Sequence, residues 1–268
     1  MPPLSHFPVR FTLLLTLLAP PLSFAQDRVE AFGSPQRDFK GTAAFVGTFY
    51  DLKQSQTREP IKNAPKQYWE VIRQFIDGGF HEAKLDQFFR AGLPLYTNLI
   101  HIKSMDANAA PRAFGVEEVV EPRLWIIHYR AQVAPPRDGR YRLAGGADDV
   151  LLAAINGRMV LAGQYVDREM EAIGWESPPG NVEPWPLIDP RARWGLWLDL
   201  KADQPVDLDV IVGERPGGRF HAGLAFHEEG GSFRVTQDGK RVVLPVLELV
   251  PYGSPEAEQK PDAWRVFP

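Results

Sequence analysis

From residue 95 onward, apolar residues recur at every second position, a period that belongs to half-buried strands and not to helices. In the run Trp125 to Val133 the odd positions are apolar, and the even ones turn polar after Ile126. Leu196, Leu198 and Leu200 alternate with Trp197 and Asp199, and Val206, Leu208, Val210 and Val212 alternate with Asp207, Asp209 and Ile211. Phe220, Ala222, Leu224 and Phe226 alternate in the same way with Arg219, His221, Gly223 and Ala225, and a last strand is expected over 242–250. Between residues 151–155 and 158–161 stands Asn156-Gly157, the strongest short-range signal for a two-residue hairpin, because both of its central positions must accept positive φ. Many short strands with turn residues between them predict a mostly β fold, an antiparallel sandwich or barrel.

One helical segment interrupts this pattern near its start. Pro65 suits a first helical turn, Tyr68, Val71, Ile72, Phe75 and Ile76 fall on one face, and Gly78-Gly79 supplies a stop. The sequence thus predicts a helix over 65–77 and a short second one over 82–89, while the charged, Gln-rich stretch 51–60 is expected to be a surface loop.

At the N-terminus Arg10 precedes an apolar run over 11–18, a break at Pro20-Pro21 and small residues at Ser23 and Ala25, the order of a cleaved secretory signal. The run falls short of the roughly 20 residues that a spanning helix needs, so no transmembrane segment is expected in the mature chain. The expected organisation is a signal peptide over 1–25, a flexible tether over 26–40, a β domain over 41–250 and a C-terminal tail over 251–268. The chain contains no cysteine, so neither a disulfide nor a lipobox lipid is available, and a free periplasmic or secreted protein follows. With Lys+Arg at 30 against Asp+Glu at 34 there is no basic excess for phosphate backbones, and nucleic acid is set aside as a partner.

Enzyme signatures are sparse. The chain lacks Gly-x-Ser-x-Gly, His-Glu-x-x-His, a phosphate-cradling glycine loop and a cysteine nucleophile, and His227-Glu228-Glu229 lacks a second histidine at helical spacing. His128 and His221 fall on strand faces, where a hydrogen-bonded sheet histidine is the ordinary role. Residues 164–193 break the alternation with five prolines and with Trp175 and Trp185, which makes this stretch either a binding loop or a stiff cover for a sheet face. The most informative site is Gly145-Gly146-Ala147-Asp148-Asp149-Val150, where two adjacent carboxylates at a strand end repel unless donors or a cation lie between them. Calcium, which takes oxygen ligands, would supply that compensation.

The order of aromatic strand (Trp125 to Tyr129), Pro/Gly turn (Pro136 to Gly139), Tyr141-Arg142-Leu143, Ala147-Asp148-Asp149 and the Asn156-Gly157 hairpin resembles the core of the protective-antigen-fourteen family of β-sandwich domains. The Gly213 to Gly218 turn, leading into Phe220 to Phe226, resembles the later strand pair of that family. Gly47 to Gln54 and Ala113 to Val116 are similar to a bacterial subgroup of exported proteins with this domain and no settled activity. In lectin members an adjacent Asp pair joined by a cis peptide chelates calcium, which holds sugar hydroxyls. The resemblance therefore implies Asp148 and Asp149 as metal ligands and calcium as cofactor. Two carboxylates supply at most four of the six to eight oxygens that calcium takes. Asp167, Asn181, Asp189 and Glu214 are equivalent by spacing as the source of a third side-chain ligand. Trp175, Trp185 and Glu214 are the expected ligand-binding residues, the indoles offering flat apolar faces to a sugar ring.

These observations lead to a calcium-dependent, lectin-like carbohydrate-binding module whose partner is a glycan. The alternative is a non-catalytic structural or protein-interaction module that binds another envelope protein. No catalytic residue is assigned, and a glycosidase is the third reading.

Overall fold

In the computed structural model, residues 30–35, 44–163, 173–176, 178, 192–232, 234–235, 237 and 242–268 are described. The expected signal peptide lies outside them, as do most of the 164–193 stretch and Trp185. The chain runs through β1 (Phe45–Ser55), α1 (Ala64–Asp77), β2 (Phe88–Arg90), β3 (Leu95–Thr97), β4 (His101–Asp106), α2 (Ala109–Ala113), β5 (Trp125–Ala134), β6 (Gly139–Asp148), β7 (Val150–Ile155) and β8 (Arg158–Ala162). It continues through β9 (Arg193–Trp194), β10 (Leu198–Leu200), β11 (Val206–Glu214), β12 (Arg219–Glu228), β13 (Arg234–Val235), β14 (Val242–Val243), β15 (Leu249–Pro251), α3 (Pro255–Gln259) and β16 (Trp264–Phe267).

The period-two segments pair as two sheets packed face to face. One has the order β15-β16-β5-β11-β7-β8, with β1 sharing the outer edge of β5 and carrying β2 and β3. The other has the order β10-β6-β12-β4, with β9 also on β6. All these pairings are antiparallel except β15 with β16, and the sheets close into no barrel, so the architecture is an open sandwich. Between the sheets lie the inward residues of each strand, with Trp125 at the centre: its ring is 4.9 Å from that of Phe220 and 5.7 Å from that of Phe49. Burying rings of this size is the main apolar contribution to such a core.

The hairpin forms where the turn residues place it. Asn156 and Gly157 adopt φ of 49° and 72°, and β7 pairs with β8 across them through a bulge at Ala153 and Ala154. α1 covers the outer face of the first sheet, burying Tyr68, Ile72 and Phe75 against Tyr50, Ile126 and Leu152. It ends at Gly78, followed by Gly79 at φ 68°.

The structure departs from the sequence expectation in five places. The second helix is only a 3-10 turn, Glu82–Leu85, because Phe88–Arg90 pairs with the end of β1 and takes up an extended conformation. The stretch expected as a loop from residue 51 is strand as far as Ser55, and Asp51 is wholly buried. Within the expected tether, Glu30–Phe32 forms a 3-10 turn whose Phe32 is fully buried and stacks on Phe220 at 6.0 Å. The expected C-terminal tail contributes β16, with Trp264 in the core beside Tyr141. The strand over 242–250 is broken into β14 and β15, with Leu244 and Leu247 buried between them.

Candidate functional site

β6 ends at Asp148, β7 begins at Val150, and the Asp148–Asp149 peptide between them is cis. Two neighbours fix this corner. Asp148 stands opposite His221 of β12, while the Asp149 N–H donates to the Gly213 carbonyl of β11 at 3.1 Å. Asp149 Oδ2 in turn accepts the Arg215 N–H at 2.9 Å. The corner therefore joins the two sheets, and the Gly-rich turn after β11 folds over it.

Glu214 is the last residue of β11 and is 1 % exposed. Its Oε1 accepts the Gly217 N–H at 2.8 Å, whereas Oε2 is buried with no donor among the described residues. Burial, then the charge of Asp149 and more weakly that of Asp148, pushes its carboxyl up to about 8. Two glycines make this arrangement possible. Gly217 sits at φ 91°, and a Cβ on Gly213 would lie 2.7 Å from the Tyr68 hydroxyl and 2.8 Å from the Trp125 carbonyl.

The loop beneath the turn is held by the end of β1. Lys53 Nζ donates to Asp51 Oδ1 at 2.7 Å and to the carbonyls of Glu121 and Arg123 at 2.9 and 3.0 Å. Gln54 Nε2 bridges Asp51 Oδ2 and the Val119 carbonyl at 2.7 and 2.8 Å. Leu124 N–H then donates to the Arg215 carbonyl at 3.3 Å, linking this clamp to the turn that carries Glu214. The Asp51-Leu52-Lys53-Gln54 stretch is thus a support for the site and not an exposed loop.

Of the expected site residues, Asp148, Asp149 and Glu214 are brought together, although among the described residues no group of three or more His, Asp or Glu side chains stands at metal-holding separations. Trp175 is placed elsewhere, half-buried against the apolar cluster under α1, its indole nitrogen buried and without a hydrogen-bond partner among the described residues. Trp185, Asp167, Asn181 and Asp189 lie outside the described residues. The chain nevertheless enters the 164–191 stretch beside the acidic corner, since the Gly163 carbonyl accepts the Ala147 N–H at 2.8 Å. The residue types gathered here suit a hard cation in chemistry, since their side chains carry carboxyl oxygens and the buried Oε2 of Glu214 faces acids and, among the described residues, no donor.

Sequence reasoning missed a cluster on the outer face of the second sheet. Arg142, Trp194, Trp197 and His227 meet there from β6, β9, the segment before β10, and β12. It missed also that His128, fully buried, lies between Asp209 at 2.8 Å and Glu82 at 3.4 Å, tying the helical insertion to the sheet.

Together the fold and the corner define an antiparallel β-sandwich with an acidic site where its two sheets meet. Among solved structures the chain is similar to a PA14 sugar-binding domain from an RTX adhesin, with a TM-score of 0.43 and 14% identity over 76% of this chain and 99% of that one. It is similar also to the PA14 domain of an antifreeze protein, with a TM-score of 0.42, 14% identity, and coverage of 76% and 87%. The epithelial adhesin 6 A domain from Candida glabrata, solved with Galb1-3GlcNAc, matches with a TM-score of 0.40 and 12% identity over 76% of this chain and 84% of that one. No family model matches the chain, and no curated protein matches it.

Proposed function

We propose that this protein is an exported carbohydrate-binding module that holds calcium at Asp148 and Asp149 and presents the ion to sugar hydroxyls. The observation that carries the reading is the convergence of the Asp pair with the buried, donorless oxygen of Glu214 at one corner of the sandwich. A carboxyl there gains from a proton or a cation, and calcium supplies the charge without further side-chain donors. The order of strands, turn, Asp pair and hairpin, which resembles the protective-antigen-fourteen lectins, supports the same assignment. When bound, the ion would offer open coordination positions to vicinal hydroxyls, the chemistry that a lectin site needs. Around it, Arg215 N–H orients Asp149, Gly217 N–H orients Glu214, and the clamp of Asp51 and Lys53 fixes the loop under both. Gly163, the last described residue before the 164–191 stretch, is bonded to Ala147 beside the same corner.

The test is a glycan array probed with residues 26–268, with calcium and with chelator. Binding that chelator abolishes and calcium restores supports the reading. Capture of an envelope protein that is indifferent to both chelator and sugar would overturn it in favour of a protein-interaction module.

A further inference from the structure

The cluster around Arg142 has the composition of a second binding site, and three observations define it. First, Arg142 is half-buried, and its guanidinium lies 3.5 Å from the centre of the Trp194 ring and 4.5 Å from that of Trp197. Stacking of this kind holds the planar fork in one orientation. Second, it has no carboxylate partner among the described residues. The nearby acids are already committed, Glu228 to Arg137 and Glu229 to Arg140, which leaves Arg142 opposite His227 in the strand register. Third, its Nε donates to His227 Nδ1 at 3.1 Å, so the imidazole accepts there and balances no charge. His227 is pulled down to about 4, by burial first and by the charge of Arg142 second, and burial lowers Arg142 as well. The result is a partly desolvated cation whose two terminal nitrogens have no acceptor in the described residues.

A guanidinium fork with free terminal N–H groups matches a carboxylate bidentately, and the half-exposed indoles stacked on it offer apolar edges to a ring. One ligand class offers both features at once. We propose that Arg142, Trp194, Trp197 and His227 form a site for the carboxylate of an acidic sugar, a uronate residue, separate from the Asp148–Asp149 corner. Arg142 donates to the carboxylate, the indoles pack against the ring, and His227 positions the guanidinium. Arg142 and Asp148 both point away from the core, because Leu143 and Ala147 between them point into it. At the rise of a strand they stand about 20 Å apart along β6, too far for a single sugar to touch both. The uronate site needs no calcium.

Calorimetry with a galacturonate trimer in chelator tests this, with the methyl-ester trimer as the same ring without charge. The wild-type protein should bind the acid at least about ten-fold more tightly than the ester, and Arg142→Gln should erase the difference. Arg142→Lys, which keeps the charge and loses the fork, should also lose most of the affinity, and Trp194→Ala should weaken binding of the acid. Asp148→Asn should leave all of it unchanged, which separates this site from the calcium site. Equal binding of acid and ester, tighter Arg142-dependent binding of a sulfated trisaccharide or a glutamate-rich peptide, or unchanged binding in a folded Arg142→Lys protein would each overturn the assignment. Should Arg142→Gln fail to fold, the lysine variant and the ester comparison still decide.

Discussion

Asp51 and Glu214 face the two sides of Trp125, Asp51 paired with it from β1 and Glu214 paired with it from β11. Both are carboxyls at the same level of one sheet, and both are almost wholly buried. Asp51 has a resident cation in Lys53 and two further donors in Gln54 Nε2 and the Lys53 N–H. Glu214 has one backbone donor, from Gly217, and otherwise faces acids. The first carboxyl is neutralised by a neighbouring lysine, and the second, among the described residues, meets one backbone donor and two other carboxyls.

Glu214 gives a pH signature in chelator. Its folded pKa, about 8, exceeds its ordinary 4.5, so the folded state binds more protons than the unfolded state between those values. The corresponding stability is therefore full below about pH 4.5 and is lost as pH rises through about 8, to an extent on the order of a few kcal/mol. Urea midpoints measured in chelator across this window should fall with pH in the wild-type protein, and Glu214→Gln should flatten the slope. Parallel curves for the two proteins would contradict the buried, acid-facing environment of this carboxyl.

Calcium should raise the melting temperature. At a hundredfold excess over its dissociation constant, linkage gives about 2.7 kcal/mol, which for a chain of this size is a shift between about 5 and 10 °C. Asp148→Asn and Asp149→Asn should each abolish the shift while leaving the melting point in chelator nearly unchanged. Differential scanning fluorimetry with and without calcium reads this directly, and identical curves for the wild-type protein would remove calcium from the mechanism.

Removing the cation beside Asp51 should be costly. Lys53→Met leaves a wholly buried carboxylate with no cation and only Gln54 Nε2 and the residue 53 N–H as donors, a loss of about 3–5 kcal/mol for a broken buried pair. Asp51→Asn with Lys53→Met should recover part of it, because the uncompensated charge is then absent. A denaturant series on the two variants checks both statements. The double variant should also weaken calcium binding, since the clamp holds the loop under Arg215.

The hairpin is open to a simple test. Gly157 stands at φ 72°, so Gly157→Val should cost about 1–2 kcal/mol from the left-handed backbone alone, before any contact is lost. Asn156→Pro should cost more, since proline cannot reach φ 49° and the Asn156 N–H now donates to the Asp207 carbonyl at 2.8 Å. Equilibrium unfolding of both variants gives the two values, and a smaller loss for proline than for valine would contradict the observed turn.

The features legible in the sequence are those with local causes. The Asn156-Gly157 turn, the apolar stripe of α1 with its glycine stop, and the alternation of β5, β11 and β12 follow from neighbours along the chain. So does the Asp148-Asp149 pair, conspicuous because two charges stand side by side. What was not legible depends on partners far away. Asp51 looks like the start of a loop until Lys53 and the 119–124 carbonyls close around it. Phe32 is a lone aromatic in a polar stretch, and only its docking on Phe220 makes it core. Arg142, Trp194 and His227 become neighbours because β6 pairs with β9 along one edge and β12 along the other, which no spacing in the chain announces.

The two stems of the 164–191 stretch have a further consequence for how this scaffold can change. Gly163 is bonded to Ala147, and Arg193 pairs with Gly145, so the departing and returning chains are fastened to the same short length of β6. A Cβ on Gly163 would meet the Gly145 carbonyl at 2.3 Å, so the departure point tolerates no side chain. The fastening is not confined to these ends, because Ile173 is buried and Trp175 half-buried in the apolar cluster under α1, against the other sheet. Change in this part of the chain is therefore bounded on three sides: a substituted or lengthened sequence keeps the strand register only if it preserves the glycine at 163, the pairing of Arg193 and the seating of Ile173 and Trp175 under α1.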